Sequence, residues 1–341
     1  MNEFLHLIGP RLEKHTDLQP SRILFVEDHY EPDILENLLD QAKVKPELII
    51  TDFFAIIPNS KYNIQYWPIW LAGFDKCKLP HLNLNNNNKG VKTTFNFMAF
   101  KPRKYRVFAL KVLEYFNLST TQYVSNHIND PVLLTYHSVD HVVVDEIINS
   151  GNQELIQLIK FFTSQVKLPY KFFNNSKNTI YDNVADYNNF LKHRVFDRSA
   201  ISLILETIEP SWSNAANFSE KTMFSVVSNT IPIWLCGYQQ AKLWKNYGFD
   251  VFDDIVNHSY QYKSTNVERI FYAVKDNIEI LADLQKTKSI HESLTTRFEK
   301  NLELLRKRIF LSLLNQNLVV YPAEVQQQVN AIVNSQCGRY S

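Results

Sequence analysis

Glycine is scarce in this chain, at 7 residues of 341. That scarcity excludes the Gly-rich phosphate cradles, and neither a G-x-G-x-x-G fingerprint nor a P-loop is present. Cysteine is scarcer still. Cys77, Cys236 and Cys337 are an odd number without metal-ligand spacing, as expected of a reducing compartment and no disulfides. Histidines are scattered, with no H-E-x-x-H and no H-x-E paired to C-x-x-C, so zinc chemistry is not expected. No run approaches about 18 apolar residues, and the first residues lack a basic-then-apolar leader pattern. The expectation is a soluble, cytoplasmic protein with no membrane partner. An excess of one charge is missing too: 36 Lys and Arg face 35 Asp and Glu. A global electrostatic footprint for nucleic acid is therefore excluded, while a local basic patch is not.

What is present is a globular composition, 45% hydrophobic and 21% charged, over a length sufficient for two cores. "SRILFVEDHYEPDILENLLDQAK" reads as a buried strand over Ile23 to Val26, a polar loop and a helix, and "PELIITDFFAII" as the next strand. Strand, helix, strand at this spacing is a βαβ unit of a parallel sheet. Pro68 is placed to open a helix. The Asn-rich tract at 82–90 marks a domain boundary. Beyond it, "KTTFNFMAF" alternates as a strand and "PRKYRVFALKVLEYFNL" has helical periodicity. "TQYVSN" starts another strand, and "QELIQLIKFF" is helical. "VDHVVVDE" reads as a strand with polar ends. "SAISLILETIEP" is a nearly continuous apolar run, as a central parallel strand requires. "GFDVFDDIVNHSY" reads as a short strand and an Asp-rich turn, and the chain from Asn266 to about Asn317 as charged helix. The class is α/β, two domains with a cleft between them.

The residues that carry chemistry sit where strands give way to helices. Ser219 is placed to cap a helix whose apolar face is Met223, Val226 and Val227, and Lys221 falls in its first turn. The helix macrodipole is positive there, so a cation is misplaced unless an anion shares the site or the side chain is simply solvated. Lys101, Arg103, Lys104 and Arg106 repeat the conflict, and the Arg106 guanidinium suits bidentate contact with phosphate oxygens. Glu206 ends the "SAISLILE" strand, where open α/β sheets bind ligands. It either accepts hydrogen bonds from sugar hydroxyls or caps a neighbouring helix. Glu27, Asp28 and His29 end the strand "ILFV" and are candidate bases.

In order along the chain, several motifs together resemble a group of phage and bacterial glycosyltransferase-like proteins, itself similar to α-1,3-fucosyltransferases. They are the arginine turn at Arg103 and Arg106, Glu206–Thr207, Ser219–Glu220–Lys221, Pro232 to Gly237, Gly248–Phe249, Asp253–Asp254 and Ser259–Tyr260. The resemblance covers residues 92–275. It implies a GT-B fold, two Rossmann-like domains with parallel sheets facing a cleft. Residues 1–90, joined by C-terminal helices of 300–341, would take the acceptor, and residues 91–299 the nucleotide sugar. Arg103, Arg106 and Lys221 would hold the donor diphosphate, with Ser219 and Thr222 beside them, and Glu206 or Glu220 would meet ribose or sugar.

Two departures stand out. Met98–Ala99–Phe100 replaces the family's Leu-Asn-Arg, and Asn257–His258 stands where acids are usual. With no Asp-x-Asp motif, the cations would stabilise the leaving diphosphate without a metal, and no cofactor is expected beyond the nucleotide sugar as co-substrate. Asp28 is the favoured base, because Glu27 continues the strand alternation and His29 is the reserve. The acceptor would be a glycan or a hydroxymethylated base in phage DNA. A catalytically inactive binding module is the competing reading, and the oligomeric state is left open.

Overall fold

The computed structural model describes residues 4–7, 23–26, 37, 40, 48–51, 53–55, 62, 64–66, 90–98, 104–118, 123–125, 141–162, 171–172, 199–206, 215–218, 220–246 and 248–308. Strands β1 (Phe4–Leu7), β2 (Ile23–Val26) and β3 (Leu48–Thr51) are followed by β4 (Phe53–Ala55) and β5 (Ile64–Tyr66). Of these, β1, β2, β3 and β5 form one sheet in that order, and every pairing is parallel. "PELIITDFFAII" thus yields two strands, and the second, β4, leaves the sheet.

The remaining strands are β6 (Thr93–Met98), β7 (Tyr123–Ser125), β8 (Lys171–Phe172), β9 (Ser199–Ile204), β10 (Ala215–Asn217) and β11 (Ile231–Trp234). A second parallel sheet runs β8-β7-β6-β9-β11. β10 instead pairs antiparallel with β4, joining residues 215–217 to 53–55. Counted by its own strands, the second sheet has the doubly wound order third, second, first, fourth, fifth. β9 lies between two neighbours and is buried at all six positions, which is why its sequence is an unbroken apolar run instead of an alternating one.

Helices α1 (Lys104–Tyr115), α2 (His141–Ser150), α3 (Gln153–Phe162) and α4 (Glu220–Val227) lie between these strands, and α5 (Gln240–Asn246) follows β11. After a 3₁₀ turn at Ser259–Tyr262 come α6 (Asn266–Lys275), α7 (Ile278–Ala282), α8 (Leu284–Ser293) and α9 (Thr295–Arg308). α1 packs against α2, α3 and α6, whereas α4 packs against β9, β11 and α9. The main core covers the sheet face carrying Phe95, Phe97, Ile201, Leu203, Ile231 and Ile233, which follow the strand period of two. The opposite face presents Trp234. Phe218 packs edge-on to it and also meets Trp244, which stacks on Phe249 at 4.0 Å.

Two expectations are corrected. His141–Glu146 of "VDHVVVDE" lie in α2, not in a strand. Its three valines have β propensity, but burial falls on Val143 and Ile147, four apart, and packing on α1 and α6 decides. "GFDVFDD" forms no strand either. Phe252 has φ of 58° and its N–H donates to Asp250 Oδ1 at 2.8 Å, an Asx turn that breaks the extended run. The charged helical stretch is four helices through Arg308, interrupted at Asp276–Asn277, Asp283 and Leu294. α9 crosses position 300 and packs on α4.

Candidate functional site

β6 and β9 lie side by side, yet the chain leaves them in opposite directions, β6 toward β7 and β9 toward β11. Right-handed crossovers then place α1 and α4 on opposite faces of the sheet. Both helices begin at the carboxyl edge, so their N-termini bracket the crevice between the ends of β6 and β9. This is the topological switch point, where open α/β sheets bind ligands.

Three charged residues named from sequence converge on this edge, and each is buried. Arg106 stands in the first turn of α1 at 3% exposure, Lys221 in the first turn of α4 at 2%, and Glu206 just beyond β9 at 1%. A solvated Lys221 is therefore excluded. Two buried cations occupy helix starts where the macrodipole opposes them, and the first turn of α1 contains no acid.

Glu206 is tied to α4 through hydrogen bonds. Thr222 Oγ1 donates to Glu206 Oε1 at 2.5 Å, and Trp234 Nε1 donates to Thr222 Oγ1 at 2.9 Å. Below them a polar seam joins the two switch-point strands. Asn96 Nδ2 donates to Ser202 Oγ at 3.0 Å, and Ser202 Oγ meets Thr230 Oγ1 at 2.7 Å. His258, at one of the two positions where the family resemblance expects acids, packs against Trp234 with ring centroids 6.0 Å apart. Its Nε2 meets Val251 O at 2.9 Å. Burial pulls its imidazole below the ordinary histidine value.

A second set of polar residues, absent from the sequence expectations, gathers around Tyr105, the residue before Arg106. Glu146 of α2 accepts the Tyr105 hydroxyl at 2.7 Å and the N–H groups of Asn266 at 3.0 Å and Val267 at 3.4 Å. The α6 N-terminus also has a capping box of Thr265 and Glu268. Burial, and then the Glu146 carboxylate, push the Tyr105 phenol well above its usual range. Arg269 is fully buried, donates to Lys263 O and Asn266 Oδ1, and lies 5.6 Å from the Tyr238 ring. The T-x-x-E spacing at Thr265–Glu268 was the available sequence signal for this helix start. Nothing local pointed to Glu146.

The candidate bases Glu27, Asp28 and His29 lie outside the described residues, as do Lys101, Arg103, Ser219, Pro68 and residues 82–89 of the Asn-rich tract. Glu220 is the first residue of α4, and its side chain is not described. The Asp-rich turn is engaged in ion pairs: Asp253 with Lys245, and Asp254 with Arg297, which also holds Asp250. Among the described residues no group of three acids, histidines or cysteines could hold a metal, and no helix is long and apolar enough to cross a membrane.

No protein-family model matches the sequence, and no curated protein matches it. Among solved structures the chain is similar to the crystal structure of α,α-trehalose 6-phosphate synthase from Burkholderia multivorans. Identity is 12% and the TM-score 0.36, covering 93% of this chain and 74% of that one. A likeness of that size carries no argument about chemistry.

Proposed function

We propose that this protein is a metal-independent glycosyltransferase that moves a sugar from a nucleotide-diphosphate sugar to an acceptor hydroxyl. The observation that supports this reading is the pair of buried cations, Arg106 and Lys221, in the first turns of the two helices bracketing the switch point. A diphosphate between them resolves the conflict with both helix dipoles. The same cations stabilise the charge that grows on the diphosphate as the glycosidic bond breaks, which is the work a metal does elsewhere. Glu206 faces hydroxyls of ribose or sugar. In this reading Arg103, Ser219, Glu220 and Thr222 complete the donor site within residues 91–299, and the acceptor is held by residues 1–90 in a GT-B arrangement. The acceptor is a glycan or a hydroxymethylated DNA base, the latter requiring extrusion from the stack. The replacement of Leu-Asn-Arg by Met98–Ala99–Phe100 favours the alternative of an inactive nucleotide-sugar-binding module.

Thermal-shift measurements against UDP-, GDP- and dTDP-sugars identify the donor, because binding raises stability by mass action. With that donor, Lys221→Ala is expected to weaken calorimetric affinity by about 1.5–3 kcal/mol, the loss of one charge-assisted contact, with circular dichroism unchanged. Unaltered affinity would remove the central support of the proposal. In a turnover assay run with EDTA, Asp28→Asn is expected to lower the rate by roughly 10²-fold at nearly unchanged donor affinity. Full turnover in that variant would move the base to His29 or another residue. Dependence on added Mn²⁺ or Mg²⁺ would refute metal independence.

A further inference from the structure

Tyr238 and Tyr262 meet edge to face, with ring centroids 6.0 Å apart and planes at 78°. Tyr262 is 55% exposed and Tyr238 is half-buried, so the pair presents ring surface to solvent. Both rings sit on braced turns. Tyr238 follows the end of β11 between two left-handed residues, Gly237 at φ 98° and Gln239 at φ 57°, where a residue other than glycine is uncommon. Tyr262 ends the 3₁₀ turn. Two side chains, each at most 1% exposed, lock these turns together. Gln261 accepts the Ala241 N–H at 2.8 Å. Arg269 donates to Lys263 O at 3.0 Å while its guanidinium lies 5.6 Å from the Tyr238 ring. A ring left so far in water adds little to the core, so its fixed placement serves something outside the core.

The pair stands at the carboxyl edge of the sheet, where Arg106 and Lys221 also sit. From Tyr238 an unbroken run of contacts reaches α1 through Arg269. Arg269 Nη1 donates to Asn266 Oδ1 at 2.9 Å, the Asn266 N–H to Glu146 Oε1 at 3.0 Å, and the Tyr105 hydroxyl to Glu146 Oε2 at 2.7 Å. Arg106 is the next residue. In a nucleotide only a ribose separates the base from the diphosphate, so a base site belongs on the same edge as the cations. Resting on the nucleotide-sugar reading above, we infer that Tyr238 and Tyr262 form a stacking platform for the nucleobase of the donor. An aromatic face accepts any planar base, and a ring fixed before binding loses little freedom when the base arrives. The cations then hold the phosphates and the tyrosines the base, so the two ends of the nucleotide are gripped by separate groups.

Tyr262 is exposed enough that its replacement leaves the fold intact, which circular dichroism checks. Calorimetry with UDP, GDP and dTDP, and with their glucose conjugates, reads the contact. On the bare diphosphate that the natural protein binds most tightly, Tyr262→Ala is expected to bind about tenfold more weakly. Tyr262→Phe should stay within about twofold of the natural protein, because stacking uses the ring and not the hydroxyl. Tyr262→Leu, apolar but not aromatic, should lie nearer to Tyr262→Ala than to Tyr262→Phe. If Tyr262→Ala matches the natural protein on the bare diphosphates, or Tyr262→Phe falls with it, base stacking is refuted while the nucleotide-sugar reading stands. A loss confined to the glucose conjugates places the pair against the sugar and overturns the inference as well. If the natural protein binds none of these probes, that reading fails and this inference with it.

Discussion

Gly237 shows how a single residue is constrained at this edge of the sheet. Its φ is 98°, a region where side chains are strained, and a Cβ there would lie 2.2 Å from Gln240 Oε1. The chain therefore spends one of its few glycines where β11 ends and the turn into α5 begins. Gly237→Ala is expected to lower unfolding stability by about 1–3 kcal/mol in urea titration, from backbone strain plus displacement of the buried Gln240 side chain. An unchanged midpoint would mean that the turn relaxes freely. Elsewhere asparagine does the work of the missing glycines. Asn117 and Asn229, at φ 56° and 52°, terminate α1 and α4. In each, the following residue's N–H reaches back five positions, from Leu118 to Leu113 O and from Thr230 to Ser225 O, both at 2.9 Å. That is the Schellman pattern with asparagine in the left-handed position.

At the scale of the element, α6 depends on a residue 120 positions away. Its first N–H groups have no partner within the helix, and Glu146 accepts two of them while Thr265 and Glu268 close the capping box. The same carboxylate holds the Tyr105 hydroxyl, one residue before Arg106. Glu146 thus couples the start of α1 to the start of α6. Glu146→Ala is expected to cost about 1–2 kcal/mol of stability, the range of a lost helix cap. Glu146→Gln, which retains an acceptor oxygen for the backbone, should cost markedly less. Equal losses would show that the negative charge matters and the hydrogen-bond geometry does not.

At the scale of the whole molecule, protection should follow strand position. β6 and β9 are central in a five-stranded sheet, whereas β4 and β10 form a two-stranded ribbon of three residue pairs. Two-stranded pairings are marginal on their own. Native-state hydrogen exchange is expected to find Ile201 and Leu203 amides exchanging only through global unfolding, and ribbon amides exchanging orders of magnitude faster through local opening. Ribbon amides as slow as those of β9 would make the link between residues 53–55 and 215–217 part of the global cooperative unit.

The α/β class, the strands around Ile23, Phe95 and Ile201, and the helices over Arg106 and Met223 are decided by periodicity within a few residues, so the sequence alone determined them. The placement of Arg106 and Lys221 in first turns was legible for the same reason, because it follows from where each helical period begins. The valine run of α2 was not, since its local propensity points to a strand and only packing on α1 and α6 reverses it. Tertiary structure alone decided that β6 and β9 adjoin, bringing Asn96 to Ser202 across 106 residues. It alone brought Trp234, Thr222 and Glu206 into one hydrogen-bonded chain and Glu146 to α6. These contacts depend on strand order and on closure of long connections, and local patterns do not encode either, because the residues concerned interact only after the sheet has formed.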